Sequence, residues 1–178
     1  AIGIILVAGH NLLDNIHVSG EGLGAFGWSL LHEPGMFTYA GKKIFVLYPI
    51  IPWIGIIALG YSLGNLYSKN MDIRQRKKIL LWLGTGAVLV FIIIRFANIY
   101  GDPVAWTVQK KALYTLLSFI KVEKYPPSLM YMCMTIGPAL LLLAFMEKIK
   151  NAFTDKMVVF GRTAFFYYIL HIYLIHLL

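Results

Sequence analysis

The sequence predicts an all-α membrane protein, a polytopic bundle of transmembrane helices with four full spans and one truncated span. The chain has 178 residues, of which 59% are hydrophobic and 13% are charged, against about 25% charged in an ordinary soluble domain. Its mean hydropathy is +0.72. The apolar residues form continuous runs, and in lipid such runs satisfy their backbone groups best as helices. This composition excludes a soluble globular enzyme.

Five apolar runs are the candidate spans, because a spanning helix needs about 20 mostly apolar residues. The first run is shorter and resembles the second half of a helix, so we expect the chain to be an internal fragment of a longer membrane protein. No internal repeat is visible, and residues 1–178 are expected to form a single transmembrane domain. The predicted spans are residues 1–13, 44–66, 79–98, 127–146 and 157–178.

The segments between the spans set the orientation in the membrane. Residues 67–78 and 147–156 are short and basic, so the positive-inside rule places them in the cytoplasm. Residues 14–43 and 99–126 are longer and are expected on the other side. Connections longer than about 12 to 15 residues are usually functional or disordered, and the aromatic residues of the first one favour order. We therefore expect the two outer segments to cap a site.

The net charge of +8 is compatible with nucleic-acid binding or with basic cytoplasmic loops. The clustering of basic residues in two short segments favours the loops, and we expect no nucleic-acid partner. The one cysteine, Cys133, lies within an apolar run. An intrachain disulfide and a cysteine-based zinc site are therefore excluded.

The first two spans carry polar or aromatic residues near the outer surface. His10 and Asp14 have i,i+4 spacing on one helical face, so Asp14 could fix the tautomer of the His10 imidazole; the alternative is an ordinary polar helix end. Tyr48 and Trp53 begin the second span and suit the membrane interface. The GxxxG motif at residues 60–64 is interpreted as a helix-packing motif.

The third and fourth spans each leave two interpretations open. Arg95 and Asn98 share one face at the outer end of the third span, where Arg95 either snorkels to the surface or belongs to a site. Gly137 and Pro138 predict a kink in the fourth span. This kink either shapes a cavity or follows the curvature of the helix.

The fifth span carries Arg162 near its cytoplasmic start, then Tyr168 and His171 on one face, then His176. Ionisable side chains inside a membrane are costly and are functional hypotheses by default. For either histidine alone, a structural hydrogen bond to a neighbouring helix is the alternative interpretation. For Arg162, the alternative is snorkelling to the surface.

Under this topology, polar residues of three spans occupy the outer half of the membrane. Proton-transfer groups and a fixed positive charge in a low-dielectric setting suit acyl transfer or proton-coupled transport. Metal binding has no ligand-spacing motif behind it, and we expect no metal. The residues in question are His10, Asp14, Arg95, Asn98, His171 and His176.

Four strings, taken in order, resemble a known family. They resemble the bacterial DUF1624 membrane proteins, which are related to heparan-alpha-glucosaminide N-acetyltransferase within the transmembrane acyltransferase superfamily. The resemblance runs along essentially the whole chain. The strings are Gly9-His10-Asn11-Leu12-Leu13-Asp14, the run from Tyr48 to Trp53 with Gly60-Tyr61, Lys124-Tyr125-Pro126-Pro127-Ser128, and Phe166-Tyr167-Tyr168-Ile169-Leu170-His171.

The resemblance implies an integral protein of the bacterial inner membrane that transfers an acyl group. The donor would be acetyl-CoA or another acyl-CoA in the cytoplasm, and the acceptor a sugar or other polar molecule on the far side. The family's catalytic histidine belongs to an N-terminal part of the pattern that this sequence lacks, and the last helix of the pattern is also missing. His10, Asp14 and His171 are therefore expected in supporting or pocket roles.

In this picture a histidine base activates an acceptor amine or hydroxyl, while Arg or Asn stabilises developing negative charge. Arg162 lies where a phosphate of coenzyme A would enter. A transporter or flippase of a polar or lipid-linked solute, or a non-catalytic scaffold, is the alternative. The lipid bilayer is the expected partner, and homo-oligomerisation stays open. The residues expected to bind substrate are Tyr48, Trp53, Arg95, Asn98 and His176.

Overall fold

The computed structural model describes residues 1–177, and these residues are mostly helical. The chain divides into two compact units, residues 1–144 and the residues from 145 onward. One-turn 3-10 helices follow α1 (His10–Leu13) and α3 (Asn65–Tyr67). The elements are α1 (Ile2–Gly9), α2 (Leu23–Leu31), β1 (Gly35–Tyr39), β2 (Lys42–Val46), α3 (Ile50–Gly64), α4 (Ile73–Ala97), α5 (Ala112–Ile120), α6 (Leu129–Met146), α7 (Ala152–Arg162) and α8 (Ala164–Leu177).

Three helical segments are long and apolar enough to cross a membrane. They correspond to the second, third and fourth predicted spans, and they confirm a predominantly helical membrane protein. The first predicted span, residues 1–13, is a shorter apolar helix that ends in a 3-10 turn. The three segments are Ile50–Tyr67, Ile73–Ala97 and Leu129–Met146.

The last predicted span differs from the single straight helix expected. Within residues 157–177 the chain passes from α7 to α8 with a bend of 71°, and Leu178 lies outside the described residues. Gly161 and Thr163, two poor helix formers, flank the end of α7. Helices α7 and α8 together count as a fourth span only if they cross the membrane as one. At its other end, α7 begins with a capping box between Asn151 and Thr154.

The prediction of an all-α fold misses a hairpin that begins in the first outer segment and extends into the predicted second span. Strands β1 and β2 pair antiparallel, with Tyr39 opposite Lys42. Residues 44–46 belong to β2, although the second span was expected to begin at residue 44. Ala40 and Gly41 form the turn with positive φ of 51° and 74°, as a two-residue hairpin turn of the primed type requires. The spanning helix begins after Pro49.

Glycines set two close helix contacts within residues 1–144. A Cβ on Gly55 of α3 would lie 2.8 Å from a methyl of Val7 in α1, and a Cβ on Gly84 of α4 would lie 2.9 Å from the carbonyl oxygen of Gly137 in α6. Small residues at such crossings allow backbones to approach closely. In contrast, a Cβ on either glycine of the 60–64 motif would meet nothing within 4 Å among residues 1–177, so within these residues the motif does not provide the packing expected of it.

The outer segments meet at one end of the bundle. Val7 near the end of α1, Phe91 in the second half of α4 and Met130 at the start of α6 are buried in one core cluster. Since α3 and α4 are joined at the opposite end by the basic segment, the hairpin and the long α4–α6 connection both lie near this cluster. The fold therefore gathers both outer segments over the same helix ends.

Candidate functional site

A cavity of about 370 Å³ lies between the two outer segments. One wall comes from the residues that follow α1 and those that follow α2, and the other from the connection between α4 and α6. Three carboxylates and two histidines face it, an unusual density of titratable groups for a protein so poor in charge. The polar residues that line it are Asp14, His17, His32, Glu33, Glu123 and Tyr125.

The central feature of the cavity is an ion-pair contact between Asp14 and His32. Asp14 Oδ1 lies 3.1 Å from His32 Nε2, and the two side chains are 16% and 3% exposed. The other carboxylate oxygen accepts a hydrogen bond of 2.8 Å from the Asn11 side-chain amide. Asn11 in turn accepts from the backbone N–H of Leu129 at the start of α6. Asp14 is therefore held in place by both its oxygens.

The second ring nitrogen of His32 makes the pair chemically useful. His32 Nδ1 is buried and has no hydrogen-bond partner among residues 1–177. When Nε2–H donates to Asp14, a neutral imidazole keeps its lone pair on Nδ1. The ring packs against Trp28, with centroids 5.4 Å apart. A histidine oriented by a buried carboxylate, with its second nitrogen unpaired, is the arrangement of a general base.

His10 lies close to this pair but has a different environment. It is 2% exposed, and its ring centroid is 6.2 Å from that of His32. Its Nε2 lies 3.0 Å from the carbonyl oxygen of Pro127, and its Nδ1 lies 3.0 Å from that of Val7. Both nitrogens thus face carbonyls, and His10 links α1 to the start of α6. Asp14 contacts His32, not His10 as the spacing suggested.

A second histidine pair lies at the rim of the cavity. His17 Nδ1 is 2.9 Å from Glu33 Oε1, with the side chains 66% and 39% exposed. The distance is similar to that of the buried pair, but water screens an exposed pair far more strongly. This pair is therefore a natural internal control for the buried one.

Arg95 is buried and organises the α4–α6 connection. It is 3% exposed, and its guanidinium donates to four backbone carbonyls, three of them at the C-terminal end of α5. A cation at a helix C-terminus satisfies unpaired carbonyls and the helix dipole. Nη1 also lies 3.7 Å from Asp102 Oδ1. Its expected role in substrate binding stays a prediction, and its contacts are structural.

Asp102 is a key residue of this connection that the sequence did not reveal. Its carboxylate is 2% exposed and accepts hydrogen bonds from the backbone N–H groups of Val104 and Glu123 and from the Ser128 hydroxyl. Ser128 also caps α6 by accepting from the N–H of Tyr131. The one available signal was Asp102 preceding a proline, which marks a turn and not a buried carboxylate.

Asn98 and Tyr100 tie the end of α4 to its surroundings. Asn98 ends α4 in the left-handed conformation, and its amide exchanges two hydrogen bonds with the backbone of Trp106. The Tyr100 hydroxyl donates to the carbonyl of Ala8 in α1. Burial, followed by the nearby Asp14 carboxylate, raises the pKa of Tyr100 above its ordinary value. These contacts position the cavity wall.

The aromatic residues at the start of α3 lie beside the cavity. The Tyr48 ring lies 5.4 Å from that of Tyr125, which lines the cavity, and 6.4 Å from that of Trp53. Hydrogen bonding from Lys124, followed by that from Tyr48, lowers the pKa of Tyr125. Trp53 Nε1 is buried without a partner among residues 1–177. Tyr48 is thus placed next to the cavity, and its expected role in substrate binding stays a prediction.

The remaining predicted residues belong to the second unit. His171 Nδ1 lies 3.3 Å from the carbonyl oxygen of Tyr167, and its ring contacts Tyr168. His176 Nδ1 lies 2.7 Å from the carbonyl oxygen of Ile172. Arg162 is exposed at the end of α7. The contribution of these three residues to the site stays a prediction.

No family model, curated protein or solved structure matches this chain.

Proposed function

We propose that this chain forms the transmembrane core of an acyltransferase of the bacterial inner membrane, with four full spans and a truncated first span. The enzyme takes an acyl group from cytoplasmic acetyl-CoA or another acyl-CoA and delivers it to a sugar or other polar acceptor on the extracytoplasmic side. The observation that carries the proposal is the buried Asp14–His32 pair facing the outer cavity. The resemblance to the DUF1624 proteins supports the same reaction class.

In the proposed reaction, His32 is the general base for the acceptor. Its Nδ1 takes the proton from an acceptor amine or hydroxyl as that group attacks the thioester carbonyl. The new carbon–nitrogen or carbon–oxygen bond forms, the carbon–sulfur bond breaks, and the proton passes to the departing thiolate to give free coenzyme A. Asp14 stabilises the imidazolium that exists between these two transfers. His10 supports the site by fixing α1 against α6.

Substrate binding is assigned by position. Tyr48 and Tyr125 flank the cavity and offer ring faces to a polar acceptor. Arg162, at the cytoplasmic end of its span under the proposed topology, binds a phosphate of coenzyme A. Arg95 and Asn98 act indirectly, because they hold the cavity wall.

Proton-coupled transport is the second candidate. The observation that favours it is the 6.2 Å separation of the His10 and His32 rings beside Asp14. A chain of ionisable groups inside a membrane protein is also typical of a proton pathway. A transporter needs no acyl donor, so release of coenzyme A distinguishes an acyltransferase from a transporter.

The test is release of free thiol from acetyl-CoA and palmitoyl-CoA by the intact purified protein, with glucosamine as the acceptor probe. We expect acceptor-dependent release that falls about 10²-fold or more in His32→Gln and similarly in Asp14→Asn. The matched control, His17→Gln at the cavity rim, should stay within about 2-fold, as expected for an exposed pair. Absence of thiol release from folded wild-type protein, together with glucosamine counterflow in liposomes, would establish transport instead.

A further inference from the structure

The β1–β2 hairpin has one buried face and one unpartnered apolar face. Phe37 and Val46 are 8% and 9% exposed and pack against Ala25 of α2. On the opposite face, Met36 lies directly across from Phe45, and these side chains are 60% and 57% exposed. Cross-strand apolar pairs normally stabilise a sheet by being covered. This pair is uncovered within residues 1–177.

The hairpin is close to the membrane because of its chain connection. Val46 ends β2, and α3, a helix that can span the membrane, begins at Ile50. The connection has three residues, and the four Cα–Cα steps from Val46 to Ile50 cover at most about 14 Å when fully extended. The headgroup region of one leaflet is about 5 to 8 Å thick. The base of the hairpin, which carries Met36 and Phe45, is therefore within reach of the bilayer surface.

The charge of the hairpin complements a phospholipid surface. Residues 35–46 contain Lys42 and Lys43 and no acidic residue. Both lysines follow the turn, with Lys43 on the same face as Met36 and Phe45 and Lys42 on the opposite face. The apolar pair lies toward the other end of the hairpin, where β2 leads into α3. On this face, apolar residues toward the bilayer with a lysine farther out match the order of acyl chain and phosphate.

We propose that the β1–β2 hairpin is an interfacial anchor that docks its Met36–Phe45 face on the outer leaflet, with Lys43, which shares that face, bound to a glycerophospholipid phosphate. The anchor carries α2 with it, because Phe37 and Val46 pack on Ala25. The end of α2 leads directly to His32, so the anchor holds one wall of the cavity at the membrane surface. This inference does not depend on the reaction proposed above.

The test measures membrane depth with nitroxide spin labels on the full chain in lipid nanodiscs, in a Cys133→Ala background. A label at Phe45→Cys is expected to be more accessible to oxygen than to a water-soluble nickel chelate, and a label at Met36→Cys should agree. The control Glu21→Cys, exposed in the same outer segment, should be chelate-accessible. Replacing part of the phosphatidylcholine with phosphatidylglycerol should deepen the label at 45, and K43Q should abolish this deepening.

Two results would overturn the anchor. Chelate accessibility at positions 36 and 45 equal to that at position 21 would show that the face lies in water. Low accessibility to both reagents, with label mobility that depends on protein concentration, would show that a second copy covers the face. Circular dichroism and gel filtration of each labelled variant establish that a negative reading comes from folded protein.

Discussion

His32 Nε2 lies 3.1 Å from Asp14 Oδ1, although one residue follows α2 and the other follows the 3-10 turn after α1. The contact joins the two elements that form one side of the outer cavity. The same aspartate is held by Asn11, which also binds the start of α6. A single hydrogen-bonded chain therefore connects the cavity to two helices of the bundle.

The burial of this pair predicts a large stability difference between two carboxylate deletions. Asp14→Ala leaves buried donors of His32 and Asn11 unpaired, and it should lower the free energy of unfolding by about 2 to 3 kcal/mol. The control Glu33→Ala deletes a partly exposed carboxylate at a similar distance from His17, and it should cost about 0 to 1 kcal/mol. Unfolding in mixed micelles with increasing SDS measures both. Equal losses would contradict the buried pair.

Arg95 should be one of the most sensitive positions in the chain. Arg95→Met removes the hydrogen bonds to the end of α5 and leaves the Asp102 carboxylate buried without a cation. Loss of one partner of a buried ion pair costs about 3 to 5 kcal/mol. The measurement is SDS unfolding combined with protease sensitivity of residues 99–126. The double variant R95M/D102N also removes the uncompensated charge, so it should recover part of the lost free energy of unfolding. No recovery would show that only the hydrogen bonds from Arg95 to the carbonyls stabilise the fold.

Alanine substitutions at two glycines of α4 should differ sharply in their effect on stability, although the two glycines are only two residues apart. A Cβ on Gly84 would lie 2.9 Å from the Gly137 carbonyl oxygen, whereas one on Gly86 would meet no described residue within 4 Å. Gly84→Ala should force α4 and α6 apart at a cost of about 1 to 3 kcal/mol. Gly86→Ala should be neutral or slightly stabilising, because alanine is the better helix former. The same unfolding assay compares them, and a harmless Gly84→Ala would refute the close crossing.

Tyr100 predicts a specific loss of stability in alkaline solution. Burial and Asp14 raise its pKa above the ordinary value of 10.0, so the folded protein favours the neutral phenol that donates to Ala8. This contribution is fully present below pH 10 and is lost as the pH rises from 10 through the raised pKa. Tyr100→Phe should cost about 1 kcal/mol at pH 8. The difference in free energy of unfolding between wild type and Tyr100→Phe should narrow at pH 11. A difference that does not depend on pH would contradict the raised pKa.

Hydropathy was sufficient to predict the helical membrane class and the three long helices, because lipid leaves a continuous apolar run few other ways to satisfy its backbone. It could not separate β2 from the helix that follows. Ile44, Phe45 and Val46 are as apolar as a span, and only pairing with β1 and packing on α2 make them strand. The bend after α7 was missed for a similar reason, since composition does not register a local break at Thr163.

The site was predicted in part. The sequence indicated that the outer segments cap a site and that Asp14 belongs to a polar cluster, and residues of both outer segments, Asp14 among them, line the cavity. Helical spacing suggested His10 as the partner of Asp14, but the chain turns into a 3-10 helix at that point and presents Asp14 to His32 instead. His32 has no periodic signal, because its position depends on how α2 folds back across the helix ends.

The most direct test of the proposed function is transfer across a bilayer. The intact protein is reconstituted into liposomes that contain glucosamine, and acetyl-CoA with a labelled acetyl group is added outside. Only protein molecules whose basic loops face outward can use this donor. The proposed mechanism predicts labelled acetylglucosamine in the lumen for wild type and for His17→Gln, and about 10²-fold less for His32→Gln. Folded wild-type protein that yields no labelled product in the lumen would contradict acyl transfer at the outer cavity.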